Sequence, residues 1–201
     1  FAAARKMAPG SNDIRYSIYG HYLQTCRDLM AMGRFDRASY YAQKAASMWE
    51  DSADAHQAWG FSLLQTGRIS DAFGKLEVAV RLDPNRVGLH RMIADFHLQN
   101  RRPSSAAEHL REIIRQKPRD LPALNNLGSI LTDAGQLEEA LAHLKKAHGL
   151  APDDPNVLDS YAWVLFQSGD HASARSVIRA GGEYFRQSSA LAKRRRIMLG
   201  E

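Results

Sequence analysis

The chain has 201 residues, 44% of them hydrophobic, which is enough to bury a core and too apolar for wholesale disorder. No apolar run approaches the roughly 18 residues a membrane helix requires, and the single cysteine, Cys26, excludes an intrachain disulfide or a multi-cysteine metal site. The formal net charge of +5 comes from the ends: residues 1–18 carry +2 and 183–201 carry +3, while 19–182 balance 19 basic against 19 acidic side chains. That balance argues against the sustained basic stripe of a nucleic-acid groove.

A period of 34 residues organises the rest. Pro84, Pro118 and Pro152 share it, as do Gly60, Ala94, Gly128 and Ala162, with Cys26 extending that column upstream. Gly33, Gly67, Gly135 and Gly169 form another column, with Arg101 in the missing glycine's place. Ala38, Ala72, Ala106, Ala140 and Ala174 form a third, without exception. Each period reads as two amphipathic helices of three to four turns. The two small-residue columns let the helices of a pair approach closely, since a larger side chain there would overpack the contact. The Gly33 column ends each first helix, where a left-handed residue is cheap. Asp83-Pro84, Lys117-Pro118 and Ala151-Pro152 are the joints between units, because proline cannot continue a helix.

In chain order, Phe1, Ala4 and Pro9 repeat the relative spacing of Leu76, Ala79 and Pro84, so residues 1–18 read as the end of a truncated unit and the start of a long first helix. Ser11, Asn12 and Asp13 offer that helix an N-cap, and it is predicted to run to about Met32. Five units follow, at 19–52, 53–86, 87–120, 121–154 and 155–188. In the third, helices are predicted from about Val87 to Gln99 and from about Ser104 to Gln116. In the fifth, Gly181-Gly182 is expected to break the second helix early. Residues 183–201 carry an amphipathic pattern through Tyr184, Leu191, Ile197 and Met198, suited to a capping helix.

The second unit reads Ala53-Asp54-Ala55-His56, Trp59-Gly60, Leu63, Gly67, Ala72, Leu76, Ala79, Pro84. The fourth reads Leu124-Asn125-Asn126-Leu127-Gly128, Leu131, Gly135, Ala140, Leu144, Ala147, Pro152. These runs resemble tetratricopeptide repeats, over about five-sixths of the chain. The resemblance implies an all-α, right-handed superhelical solenoid of antiparallel helix pairs whose first helices line a concave groove. It places Leu23, Gln57, Arg91, Asn125 and Asp159 in one groove column and Arg27, Phe61, Asp95, Ser129 and Trp163 in the next. Asn126 lies in an adjacent column with Gln24, Ala58, Met92 and Ser160. Phe61 and Trp163 suit apolar anchoring, Arg91 a carboxylate, and the amides backbone groups of a bound peptide. The lysine, arginine and asparagine set with which some relatives clamp a C-terminal carboxylate is not matched by Leu23, Arg27, Gln57, Phe61 and Asp159.

Other chemistry is thinly signalled. His56, His90 and His97 could converge, but they occupy a packing column and no second ligand type joins them, so no metal site is predicted. His109 and His143 are expected to face outward, and Cys26 to be a buried packing thiol. No phosphate loop, HExxH or GxSxG occurs, so neither a catalytic residue nor a cofactor is predicted. Lys193-Arg194-Arg195-Arg196 reads as a solvated face. The expectation is a non-catalytic scaffold for a protein or peptide partner. Alternatives are the targeting or regulatory region of a larger enzyme, to which a start at Phe1 points, and a basic-tailed nucleic-acid or membrane-surface binder. The stretch Leu158-Asp159-Ser160-Tyr161-Ala162-Trp163 resembles bacterial repeat proteins of secretion, pilus or envelope assembly. That implies a periplasmic or envelope-associated address, with the cytoplasm as the alternative.

Overall fold

A computed structural model describes residues 9–187, 194 and 196–200. All regular structure among them is helical: α1 (Pro9–Ala31), α2 (Phe35–Met48), α3 (Ala53–Gln65), α4 (Ile69–Leu82), α5 (Val87–Gln99), α6 (Pro103–Gln116), α7 (Leu121–Asp133), α8 (Leu137–Leu150), α9 (Pro155–Gln167) and α10 (His171–Gln187). The chain divides into two compact units, Phe1–Leu89 and His90–Glu201.

One turn geometry closes the helix pairs. Gly33, Gly67, Gly135 and Gly169 take φ of 68°, 76°, 75° and 89°, and Arg101 adopts the same left-handed state at φ 56°. The amide after each reaches back to a carbonyl five residues earlier, as in Arg34 N–H to Leu29 C=O (2.8 Å), Arg102 to His97 (2.8 Å) and Gln136 to Leu131 (2.9 Å). This is the Schellman arrangement, which satisfies carbonyls that a helix end leaves open. Ser52, Asp120 and Asp154 cap the first helices that follow them, accepting from the amides of Ala55, Ala123 and Val157 at 3.1, 3.0 and 3.1 Å.

The small-residue columns are the seams of the pairs. All five alanines of the Ala38 column are 0% exposed, which leaves no room for a longer side chain. Gly60 and Gly128 lie directly under Leu76 and Leu144, both fully buried, so that even a β-carbon there would meet a leucine side chain. Cys26 fills the same column at 1% exposure, and burial pushes its thiol above the ordinary range, consistent with a packing role.

In the first unit, α1 packs on α2 and α3, and α3 on α4. Leu23, Ala45, Ala46 and Ala55 form one core cluster, and Cys26, Leu29, Ala38 and Ala42 a second. In the second unit, α7 packs on α8, α8 on α9 and α9 on α10. At its far end Met198, 1% exposed, packs against Leu158, Ala162 and Ile178.

Two local expectations fail. The first helix is already formed at Pro9, which places Ser11, Asn12 and Asp13 inside it rather than at its cap. Gly181-Gly182 does not end α10, which continues to Gln187. A helical glycine costs about 1 kcal/mol but removes no hydrogen bond, so neighbouring contacts override it. The proposed unit end at residues 1–8 lies outside the described residues, as do 188–193 and 195 of the proposed capping helix.

Candidate partner-binding site

The first helix of each pair presents the predicted groove columns, and in each unit several of their side chains gather around a recess. In the first unit, Arg27, Gln57 and Phe61 line a depression of about 450 Å³, floored by Leu23, Cys26 and Ala58. Phe61 is half-buried and Arg27 exposed, its guanidinium donating to Gln24 Oε1 at 2.8 Å. An apolar ring beside a solvated cation suits an apolar side chain with a neighbouring carboxylate. Leu23, 8% exposed, packs among Ala45, Ala46 and Ala55 and also lines this depression.

In the second unit, Asn125, Asn126, Asp159 and Ser160 line a depression of about 340 Å³ together with Asp154. Asn125 Oδ1 and Asp159 Oδ1 are both buried and receive no hydrogen bond. Asp95 and Ser129 lie one helical turn beyond Arg91 and Asn125, the first exposed and the second half-buried.

Two groove-column side chains are engaged within the chain. Arg91, expected to await a partner's carboxylate, donates instead to Asp120 Oδ2 at 2.5 Å, while the other oxygen of Asp120 caps α7. Gln57 accepts from Arg86 Nη1, and Arg86 also pairs with Asp54 at 2.6 Å and Asp83 at 2.9 Å. Both ties span 29 residues, from the middle of one first helix to the residue just before the next. Sequence inspection missed them because the joint residues Arg86 and Asp120 fall outside the groove columns. Their shared offset from Gln57 and Arg91 is the signal that could have found them.

The far end departs further. Arg194, read as part of a solvated basic face, donates to Asp159 Oδ2 at 2.9 Å and lies 5.0 Å from the centre of the Trp163 ring. Asp159 is 7% exposed, and burial raises its carboxyl pKa while Arg194 opposes the rise. A buried carboxylate needs a cation, which is the physical reason this arginine turns inward. Trp163 is further covered by Phe166, stacked at 5.8 Å and 13°. Trp163 is thus half-buried, with Arg194 and Phe166 against its ring.

The histidines also differ from expectation. His56 meets the Glu50 carbonyl at 3.0 Å, within its own unit. His109 faces inward: its Nδ1 stands 2.9 Å from that of His90, and its ring stacks on His97. The register of α6, set by Ala106 and Leu110 in the core, leaves His109 half-buried beside α5. His143 is half-covered as well, 3.7 Å from Glu139, and desolvation lowers its pKa.

Comparison with known proteins identifies the architecture. Tetratricopeptide repeat profiles match residues 23–87 and 91–155, and a further one matches 131–197. The chain is 30% identical over 155 residues to the TPR repeat-containing protein PA4667 of Pseudomonas aeruginosa, which covers 75% of this chain and 26% of that protein. It is 28% identical over 144 residues to the type IV pilus assembly protein PilF of the same organism, covering 71% and 54%. The chain thus spans about a quarter and about half of these relatives' lengths. Among solved structures, YrrB, described as a TPR protein with an unusual peptide-binding site, aligns with a TM-score of 0.67 at 18% identity over 87% of this chain and 90% of its own. A MamA structure (AMB-1) aligns at 0.65 and 21% identity, over 88% and 95%. With family profiles covering most of its length and paired helices closed by the same turn at every repeat, the chain belongs to the tetratricopeptide repeat family.

Proposed function

We propose that the chain is a non-catalytic scaffold of five repeats, at 19–52, 53–86, 87–120, 121–154 and 155–188, that binds an extended segment of a partner protein along its first helices. The observation that carries this reading is the Phe61 depression, where the Phe61 ring, the Gln57 amide and the solvated Arg27 surround about 450 Å³. A second polar depression, lined by Asn125, Asn126 and Ser160 among others, offers side-chain amide and hydroxyl groups to the same ligand. Similarity to the type IV pilus assembly protein PilF supports a role in bacterial pilus assembly.

The test is photo-crosslinking. A photoreactive residue is placed at Phe61 or, as a control, at exposed Arg81 on α4, in cells of a bacterium encoding the protein. One partner captured from position 61 and not from 81 supports the groove. A synthetic segment of that partner should then lose at least about tenfold in affinity on Phe61→Ala, a hot-spot-sized effect. Equal capture from both positions, or none from 61, removes the groove assignment.

A further inference from the structure

Three of the eight histidines meet between the two helices of the third repeat, a cluster that partner binding does not use. His90 on α5 and His109 on α6 face each other through their Nδ1 atoms at 2.9 Å, with ring centres 5.2 Å apart. His97, two turns beyond His90, lays its ring 5.8 Å from that of His109 and within 14° of parallel. His90 and His97 are 6% and 5% exposed, whereas His109 is half-buried and keeps an edge toward solvent.

We propose that His90 and His109 form the core of a divalent transition-metal site, flanked by His97, that fastens α5 to α6.

Geometry favours the assignment. In the metal-free pair one Nδ1 donates a proton to the other. Two imidazole nitrogens held at about 2.0–2.1 Å by a tetrahedral Zn²⁺ stand about 3.3 Å apart. The observed 2.9 Å needs to open by only a few tenths of an ångström. On binding, the donor ring moves its proton to Nε2, and both Nδ1 lone pairs turn to the metal without net proton release from a neutral pair. Imidazole nitrogen is the donor type suited to zinc, copper and nickel rather than to magnesium or calcium.

Charge favours it too. Glu112 follows His109 by three residues, on the same side of α6, and interacts electrostatically with His90. Arg115 and Gln116 hold the Glu112 carboxylate by hydrogen bonds at 2.6 Å each, so its position on this side of α6 is fixed. The sequence alone discouraged this reading because His56, His90 and His97 lie on first helices only, and the second element of the clamp, His109, is invisible until α6 is placed.

The full chain, stripped of metal, is titrated with Zn²⁺ against a chromophoric chelator, while long-range ¹H–¹⁵N spectra follow the histidine rings. One equivalent is expected to bind with micromolar or tighter affinity, shifting the Nδ1 resonances of His90 and His109 first. His90→Ala and His109→Ala should each weaken binding at least about tenfold, and His21→Ala on exposed α1 should not. The proposal is overturned if no stoichiometric Zn²⁺ binds, if the first ring resonances to shift belong to other histidines, or if both variants bind as the native chain does. Should a variant fail to fold by circular dichroism, the ring spectra of the native chain decide the matter alone.

Discussion

Gly60 offers a sharp test of how the helix pairs are built. A β-carbon added there would come 2.6 Å from Leu76 Cδ2, 2.7 Å from Leu76 Cγ and 3.0 Å from the Ala72 carbonyl oxygen. Ordinary carbon contacts lie near 3.5–4.0 Å, so the shortfall is about 1 Å. Leu76 and Ala72 are both fully buried, and the carbonyl belongs to the α4 backbone, so neither can yield freely. Replacing a helical glycine by alanine gains about 1 kcal/mol of propensity, whereas overpacking costs about 1–3 kcal/mol. Gly60→Ala is therefore expected to destabilise the protein by roughly 1 kcal/mol net. Gly74, on the exposed side of α4 with nothing near its would-be β-carbon, supplies the control. Gly74→Ala should stabilise by about 0.5–1 kcal/mol. Urea denaturation of both variants measures the difference, and repeating Gly60→Ala in a Leu76→Ala background should reduce its cost, leaving only the Ala72 carbonyl contact. If Gly60→Ala stabilises the native chain as Gly74→Ala does, the close-approach account of the small-residue column is wrong.

Arg101→Gly should raise stability by about 0.5–1 kcal/mol in thermal melts, because it relieves the one left-handed non-glycine residue among those described. Asp120→Ala should cost about 1–2 kcal/mol by removing the α7 cap, whereas Asp120→Asn keeps the cap, loses only the ion pair with half-exposed Arg91 and should cost less than about 1 kcal/mol. The Glu112 carboxyl, held down to about 2 first of all by Arg115, should titrate by carbon-detected NMR well below an ordinary glutamate and return toward normal in Arg115→Gln. Its folded-state pKa is depressed, so its contribution to stability is present above the unfolded value and is lost as pH falls toward about 2. Buried Cys26 should resist thiol alkylation in the native state and react on unfolding.

The repeat was legible because its columns obey short-range rules. A left-handed turn demands glycine, and a helix seam demands a small residue, so Gly67 and Ala72 announce themselves without any knowledge of the fold. Arg101 shows the limit of that rule in a useful way: the turn geometry persisted where the residue type did not. The site was less legible. Arg27, Gln57 and Phe61 do share a recess, and so do Asn125, Asn126 and Asp159, but exposure along a column says nothing about who has already paired. Arg91, Asp159 and Trp163 are engaged by Asp120, Arg194 and Phe166, contacts that need side-chain placement to be seen. His109 failed for the same reason, since helical period alone left its face ambiguous between solvent and α5.

The ties from Gln57 to Arg86 and from Arg91 to Asp120 have a bearing on how recognition by such an array can change. Under the proposed binding mode, a residue facing the ligand is also half of a brace holding its own first helix to the start of the next. Altering what the groove reads at these positions therefore disturbs the mechanical coupling of one repeat to its successor, and a new specificity requires a compensating change 29 residues later. Selection for a new ligand acts on such pairs jointly, and a designer who grafts one first helix into another array must carry its joint residue with it.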